Sequence, residues 1–267
     1  MNAALFTKST TGLILASGLI AASSILGHAQ DAPIALGTQA TTSLSSWYAT
    51  TPTGQAVLGG HTFDMTSGNF VKLANGGSVS FAGSSQNANA VYLLLNTSNT
   101  YNWLYDGQPV GTVVLTFSDN TTQSTTLTVG GNLREWRIDA FGVVNTLTDS
   151  NVTQGAWTTT AQSWMGGGTA VIDMLTIPVV TQGKTLTTVT LTDSNSFGSL
   201  GMQLSGLTVG FTAPVTQPTC IRPGDSCNTP AAQNSQSWKW QPVVLGATNT
   251  NTNAKNTANA TNGHKTQ

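Results

Sequence analysis

From about residue 40 to residue 213 the chain sets short apolar runs of Val, Leu and Phe among Thr and Ser, and Gly, Asn and Asp break the runs at short intervals. No stretch repeats its apolar positions with the period of a helix, about 3.6 residues, so the pattern predicts strands. Residues 69–73 and 78–81 flank Asn75-Gly76-Gly77 and predict a hairpin, because Asn-Gly supplies the positive φ of a tight β-turn. A second hairpin is predicted around Asp119-Asn120, between VGTVVLTF and TTQSTTLTV. Both of its strands alternate apolar with Thr or Ser positions, as a half-buried antiparallel pair should. Ala90-Val91-Tyr92-Leu93-Leu94-Leu95 lacks that alternation and predicts a central strand covered on both faces. Further strands are expected over 133–138, 170–179, 185–193 and 203–212. Together they predict an all-β fold, an antiparallel β-sandwich or jelly roll. The phrase Leu-Thr-Asp-Ser-Asn occurs at 147–151 and again at 191–195, and reads as recurring Asx-turn chemistry at strand ends rather than as a domain repeat.

The two ends of the chain depart from this pattern. Lys8, an apolar run from Gly12 to Leu26 and the small-residue site Gly27-His28-Ala29 predict a secretory signal over residues 1–29, with the mature chain starting at Gln30. The run is shorter than the ~20 residues a spanning helix wants, and an uncleaved anchor is the alternative. Residues 30–56 read as lead-in strands and 57–213 as the sandwich. Residues 214–245 form a Pro-punctuated extension in which Cys220 and Cys227 can close a short loop over Arg222-Pro223-Gly224-Asp225. A disulfide there suits an exported protein. From Gly246 to Gln267 the chain is mostly Thr, Asn, Ala and Lys, with no large apolar residue, and predicts disorder because it cannot bury enough surface to offset its ordering entropy.

Charge narrows the partners. Only 7% of residues are charged and the net charge is −1, against about 25% charged residues in an average soluble domain. The nine Lys and Arg are scattered, which leaves no basic stripe for a phosphate backbone and so no expectation of nucleic-acid binding. Docking on anionic lipid is disfavoured for the same reason, and no apolar stretch after residue 30 is long enough to span a membrane.

Three segments carry a family resemblance. They are Val91–Leu95, the stretch from Gly107 and Val110-Gly111 through Phe117-Ser118-Asp119 to Gly130-Gly131-Asn132-Leu133-Arg134-Glu135-Trp136, and Gly183-Lys184 leading into Thr185–Leu191. Their order resembles galactose-binding-like jelly rolls, modules often attached to secreted polysaccharide-acting enzymes. The resemblance covers residues 57–213 and implies fold more than ligand, since such modules bind through different loops.

Catalytic chemistry finds few carriers. A two-carboxylate glycosidase site needs a partner for Glu135, the one Glu of the chain, and local ion pairing within Arg134-Glu135-Trp136-Arg137 is its expected role. His61 is expected to be a surface histidine, with no nucleophile elbow beside it. No cofactor is expected; a structural calcium ion held by loop carboxylates and carbonyls stays open, with Asp106, Asp149 and Asp193 as its candidates. The aromatics say more. Tyr101, Asn102, Trp103, Tyr105 and Asp106 share one predicted loop, and Trp157 and Trp164 flank another rich in Thr, Gln and Gly. Exposed rings beside amides and carboxylates suit neutral glycans, whose C–H faces pack on indole while hydroxyls pair with polar groups. The bland alternative is that the rings cap the open ends of the sandwich. Trp47 and Trp136 read as packing residues. The leading expectation is a secreted or cell-surface, non-catalytic module for a neutral glycan or cell-envelope polysaccharide. A self-associating structural, adhesin or filament subunit is the second, and a polysaccharide-acting enzyme the third.

Overall fold

The computed structural model describes residues 29–180, 183–195 and 199–212. The signal segment up to residue 28, the Cys220–Cys227 loop and the tail from 246 to 267 lie outside the described residues, so the expectations made for them are not addressed by it; Ala29, the last residue assigned to the signal, is the first residue of a strand. The chain divides into two compact units, Met1–Val215 and Thr216–Gln267, and the described residues all belong to the first.

Thirteen strands are described: β1 (Ala29–Ile34), β2 (Thr42–Ser43), β3 (Gln55–Leu58), β4 (His61–Asp64), β5 (Asn69–Leu73), β6 (Ser78–Ser85), β7 (Ala88–Ser98), β8 (Pro109–Phe117), β9 (Thr122–Thr128), β10 (Val152–Thr160), β11 (Thr169–Pro178), β12 (Leu186–Asp193) and β13 (Gly201–Thr212). The only α-helix among them is a single turn, α1 (Asn102–Tyr105). A seven-stranded antiparallel sheet runs β10-β11-β7-β13-β5-β2, with β1 pairing the second half of β13; a four-stranded sheet runs β6-β12-β8-β9; and β3-β4 form a separate hairpin. From β5 onward every connection crosses between the two large sheets except the β8–β9 and β10–β11 hairpins. This is a β-sandwich compatible with a jelly roll.

The two faces of the larger sheet explain its sequence. Val91, Leu93 and Leu95 of β7 enter the main core, where they meet Val113, Leu115 and Phe117 of β8 and Val189 and Leu191 of β12 from the smaller sheet. Leu94 points the other way, into a second core with Phe63, Phe70, Tyr48, Trp136, Ile172 and Met174. With both faces covered, β7 has no solvent side to mark with polar residues, and its unbroken apolar run follows. The smaller sheet has one covered face. Its strands alternate accordingly, as in β8 and β12.

Two expectations are corrected. The Asn75-Gly76 turn forms, with φ of 54° and 82° and Gly77 N donating to Ala74 O. It does not make a hairpin: β5 pairs with β13 and β2, whereas β6 pairs with β12 in the other sheet. A turn fixes the local reversal, and the apolar faces of both strands are better buried when the turn spans the two layers than when it joins neighbours in one. The segment 133–138 is not a continuous strand either. It wedges between β7 and β11 through single bridges, Thr97 with Glu135 and Arg137 with Ala170. The β8–β9 hairpin forms as expected, with Asn120 at φ 64° in its turn.

Candidate functional site

The wedge is held by a buried polar cluster. Arg134 donates from Nε and Nη2 to the two carboxylate oxygens of Asp173, each at 2.8 Å, and from Nη1 to Asn145 O at 3.1 Å. Asn96 Nδ2 and Gly155 N also donate to that carboxylate, and Asp173 N donates back to Asn96 Oδ1. With both partners nearly sealed from solvent, the two-pronged geometry and the full set of donors offset the cost of desolvating the charges. Glu135 is therefore not the partner of Arg134; of the local pairing expected within Arg134-Glu135-Trp136-Arg137, the Arg137 charge alone acts on it. Its Oε2 accepts hydrogen bonds from Thr100 N and Thr100 Oγ1, both at 2.9 Å. Burial raises its carboxyl to about 7, against the pull of the Thr100 donors and of the Arg137 charge.

These contacts fix the base of an aromatic loop. Just beyond Thr100, the backbone of Tyr101 bridges to Val143 and Asn102 N donates to Gly142 O at 2.9 Å. The helix α1 then closes as Tyr105 N donates to Tyr101 O, and it presents Trp103 to solvent at 80% exposure. The rings of Tyr101 and Trp103 lie 22° from parallel with centroids 6.3 Å apart. Phe141, fully exposed, stands on the chain next to Gly142. The residues just before it are tied to the Trp164 turn: Ile138 N donates to Thr169 O, Thr169 N to Asp139 and the Arg137 guanidinium to Met165 O. Trp164 is 69% exposed there. The connections β7–β8, β10–β11 and β12–β13 leave the sheets at this same end of the sandwich.

The sequence expectations divide on this geometry. Tyr101, Asn102, Trp103, Asp106 and Trp164 are exposed. Tyr105 is buried: its ring enters the main core and its hydroxyl meets Ser199 Oγ at 3.1 Å, because a one-turn helix must turn one side inward. Trp157 lies in the edge strand β10, not in a loop, and packs against the second core. The Thr-rich stretch read as loop is a strand of the sheet edge, where β-branched residues are favoured. Phe141 was not foreseen; an aromatic directly before a turn glycine was its one signal.

The three calcium candidates are not brought together. Asp106 lies against Gly130, Asp149 Oδ1 accepts from Asn151 N and Nδ2 in an Asx turn, and Asp193 is wholly buried with Oδ1 accepting from Asn195 N. Burial pushes the Asp193 carboxyl up. Among the described residues no three His, Cys, Asp or Glu side chains group as metal ligands would.

His61 is less bland than expected. Its Nδ1 lies 3.0 Å from Asp31 Oδ1, Thr62 N donates to Asp31 Oδ2 at 2.9 Å, and its ring stacks on Tyr92 with centroids 3.5 Å apart. Desolvation, with a smaller contribution from the Asp31 charge, raises the Tyr92 hydroxyl. The trio fastens the N-terminal strand β1 to β4.

In comparisons with known protein families, characterised proteins and solved structures, the chain matches none.

Proposed function

We propose that the protein is an exported, non-catalytic carbohydrate-binding β-sandwich of galactose-binding-like type, and that it takes neutral glycan or cell-envelope polysaccharide at the aromatic end of the sandwich. The observation that carries this reading is the exposed, near-parallel pair Tyr101 and Trp103 on a loop anchored by backbone hydrogen bonds. An indole four-fifths exposed loses hydrophobic stabilisation unless something covers it, and pyranose rings present the flat C–H faces that do so. Asn102 and Asp106 beside it are exposed and can pair with sugar hydroxyls. The loop base is held by the hydrogen bonds of Thr100 to Glu135 and of Asn102 N to Gly142 O, which lowers the ordering cost of binding. A glycan array probed with the protein and its Trp103→Ala variant tests the reading. Retention on neutral glycans that disappears in the variant supports it; equal signals from both proteins refute it.

A structural-subunit reading keeps one specific support. The free edge of β9 carries Thr, Gln and Ser with no charged residue to deter pairing with a second copy. Growth of assemblies with protein concentration, unaffected by Trp103→Ala, would favour it.

A further inference from the structure

The outer face of the four-stranded sheet repeats in two dimensions. Its register sets Ser78, Thr192, Thr112 and Thr126 in one row across β6, β12, β8 and β9. The next row outward-facing along the strands is Ser80, Thr190, Val114 and Ser124, and the third is Ala82, Thr188, Thr116 and Thr122. The side chains between these rows, such as Phe81, Val113, Leu115 and Leu191, are buried in the main core, which fixes the named ones on the solvent side. Ten of the twelve positions carry a hydroxyl, and the other two carry only methyl groups. None is charged, amidic or aromatic. Lys184 and Asp119, in the connections beyond this face, neutralise each other in an ion pair.

We propose that this face adsorbs to ice. Threonine is stiff at χ1, so its methyl and hydroxyl hold fixed directions on a strand. Ser78 and Thr192 hydroxyls lie 3.0 Å apart and those of Ser80 and Thr190 2.8 Å apart, which orders them further. Strand geometry then repeats the pattern at about 4.8 Å across the sheet and about 6.7 Å along it. Hexagonal ice presents water oxygens on its prism faces with a two-dimensional repeat of comparable dimensions, somewhat shorter in the direction across the strands and somewhat longer in the direction along them. Methyl groups order the water over them and hydroxyls pin it by hydrogen bonds, so the first water layer can share the lattice of the solid. A charged group would hold a shell of its own and break the register. Sheet twist, about 20–25° between neighbouring strands, makes the match best at the central pair β12 and β8 and poorer toward the edge strands β6 and β9. A crystalline polysaccharide is the weaker occupant for this face, since it lacks the aromatic surface that stacks on sugar rings. The proposal does not depend on the glycan-binding reading, which concerns the aromatic end.

The test is partition of the protein into slowly grown ice, together with thermal hysteresis, for the natural chain and for Thr190→Lys on β12, Ser80→Lys on β6 and Trp103→Ala. Ser80 is on an edge strand and exposed, so its variant keeps the test open should Thr190→Lys fail to fold, and circular dichroism confirms folding of each. The expected result is enrichment in ice that both lysine variants lose and Trp103→Ala keeps. Exclusion of the natural protein from ice overturns the proposal. So does undiminished ice enrichment of a folded lysine variant. Sedimentation showing dimers that the lysine variants dissolve would assign the face to a second copy and overturn it as well, as would loss of binding to microcrystalline cellulose in those variants without any ice partition.

Discussion

Within the aromatic loop, neighbouring residues have opposite fates, and this makes them separable by experiment. Trp103 is four-fifths exposed and Tyr105, two positions on, is sealed in the main core. Trp103→Ala is expected to cost less than about 1 kcal/mol of stability, as surface changes do. Tyr105→Ala is expected to cost about 3–5 kcal/mol, since it empties a buried aromatic site. Urea denaturation of the two variants measures both, and equal losses would mean that Trp103 is a packing residue. Glu135 makes a pH prediction. Burial raises its carboxyl from 4.5 to about 7, so between those values the folded state holds a proton that the unfolded chain has released. Folding is then favoured by acid: this contribution is fully present below about 4.5, declines as pH rises, and is gone above about 7. The swing is on the order of 3 kcal/mol. Glu135→Gln cannot titrate, so its stability measured across this window should lack that decline. A decline of the same size in the variant would place its origin elsewhere.

Among the elements, β1 is the strand most dependent on polar contacts. Its pairing with β13 is complete from Ala29 to Ile34, but Ala32 is the side chain it buries, while Asp31 ties it to His61 and Thr62 N of β4. Asp31→Ala removes both ties and leaves the ladder. Amide exchange in β1 and at Thr62 should accelerate in that variant, with exchange in β7 unchanged, because β7 is central and covered on both faces. Uniform acceleration would show instead that β1 unfolds only with the whole sheet. The contrast between the two turns read from sequence also belongs to this scale. Asp119-Asn120 joins strands that pair, and Asn75-Gly76 joins strands that do not. Local chemistry is alike in both, and the difference lies in which layer buries the strand that follows.

For the molecule as a whole, the described strands form one compact unit that ends near Val215. A chain limited to residues 30–215 is expected to fold with the melting temperature of the longer chain, measured by circular dichroism; a drop of several degrees would mean that residues 216–267 contribute to the sandwich. What the sequence determined by itself was the part governed by local alternation: the all-β class, the half-buried β8–β9 pair and the doubly covered β7, whereas which rings of the 101–106 loop face solvent was left open between stacking and capping. Those follow from side-chain period and turn chemistry, which act within a few residues. Only the tertiary structure decided the rest. It split β5 from β6, made the Trp157 segment an edge strand, paired Arg134 with Asp173 across 39 positions instead of with its neighbour Glu135, and set Asp31 beside His61. It also aligned Thr and Ser from four strands, distant in the chain, into one face. Each of these depends on which strand lies next to which, and strand order is settled by burying two apolar cores together, a condition that no short window of sequence contains.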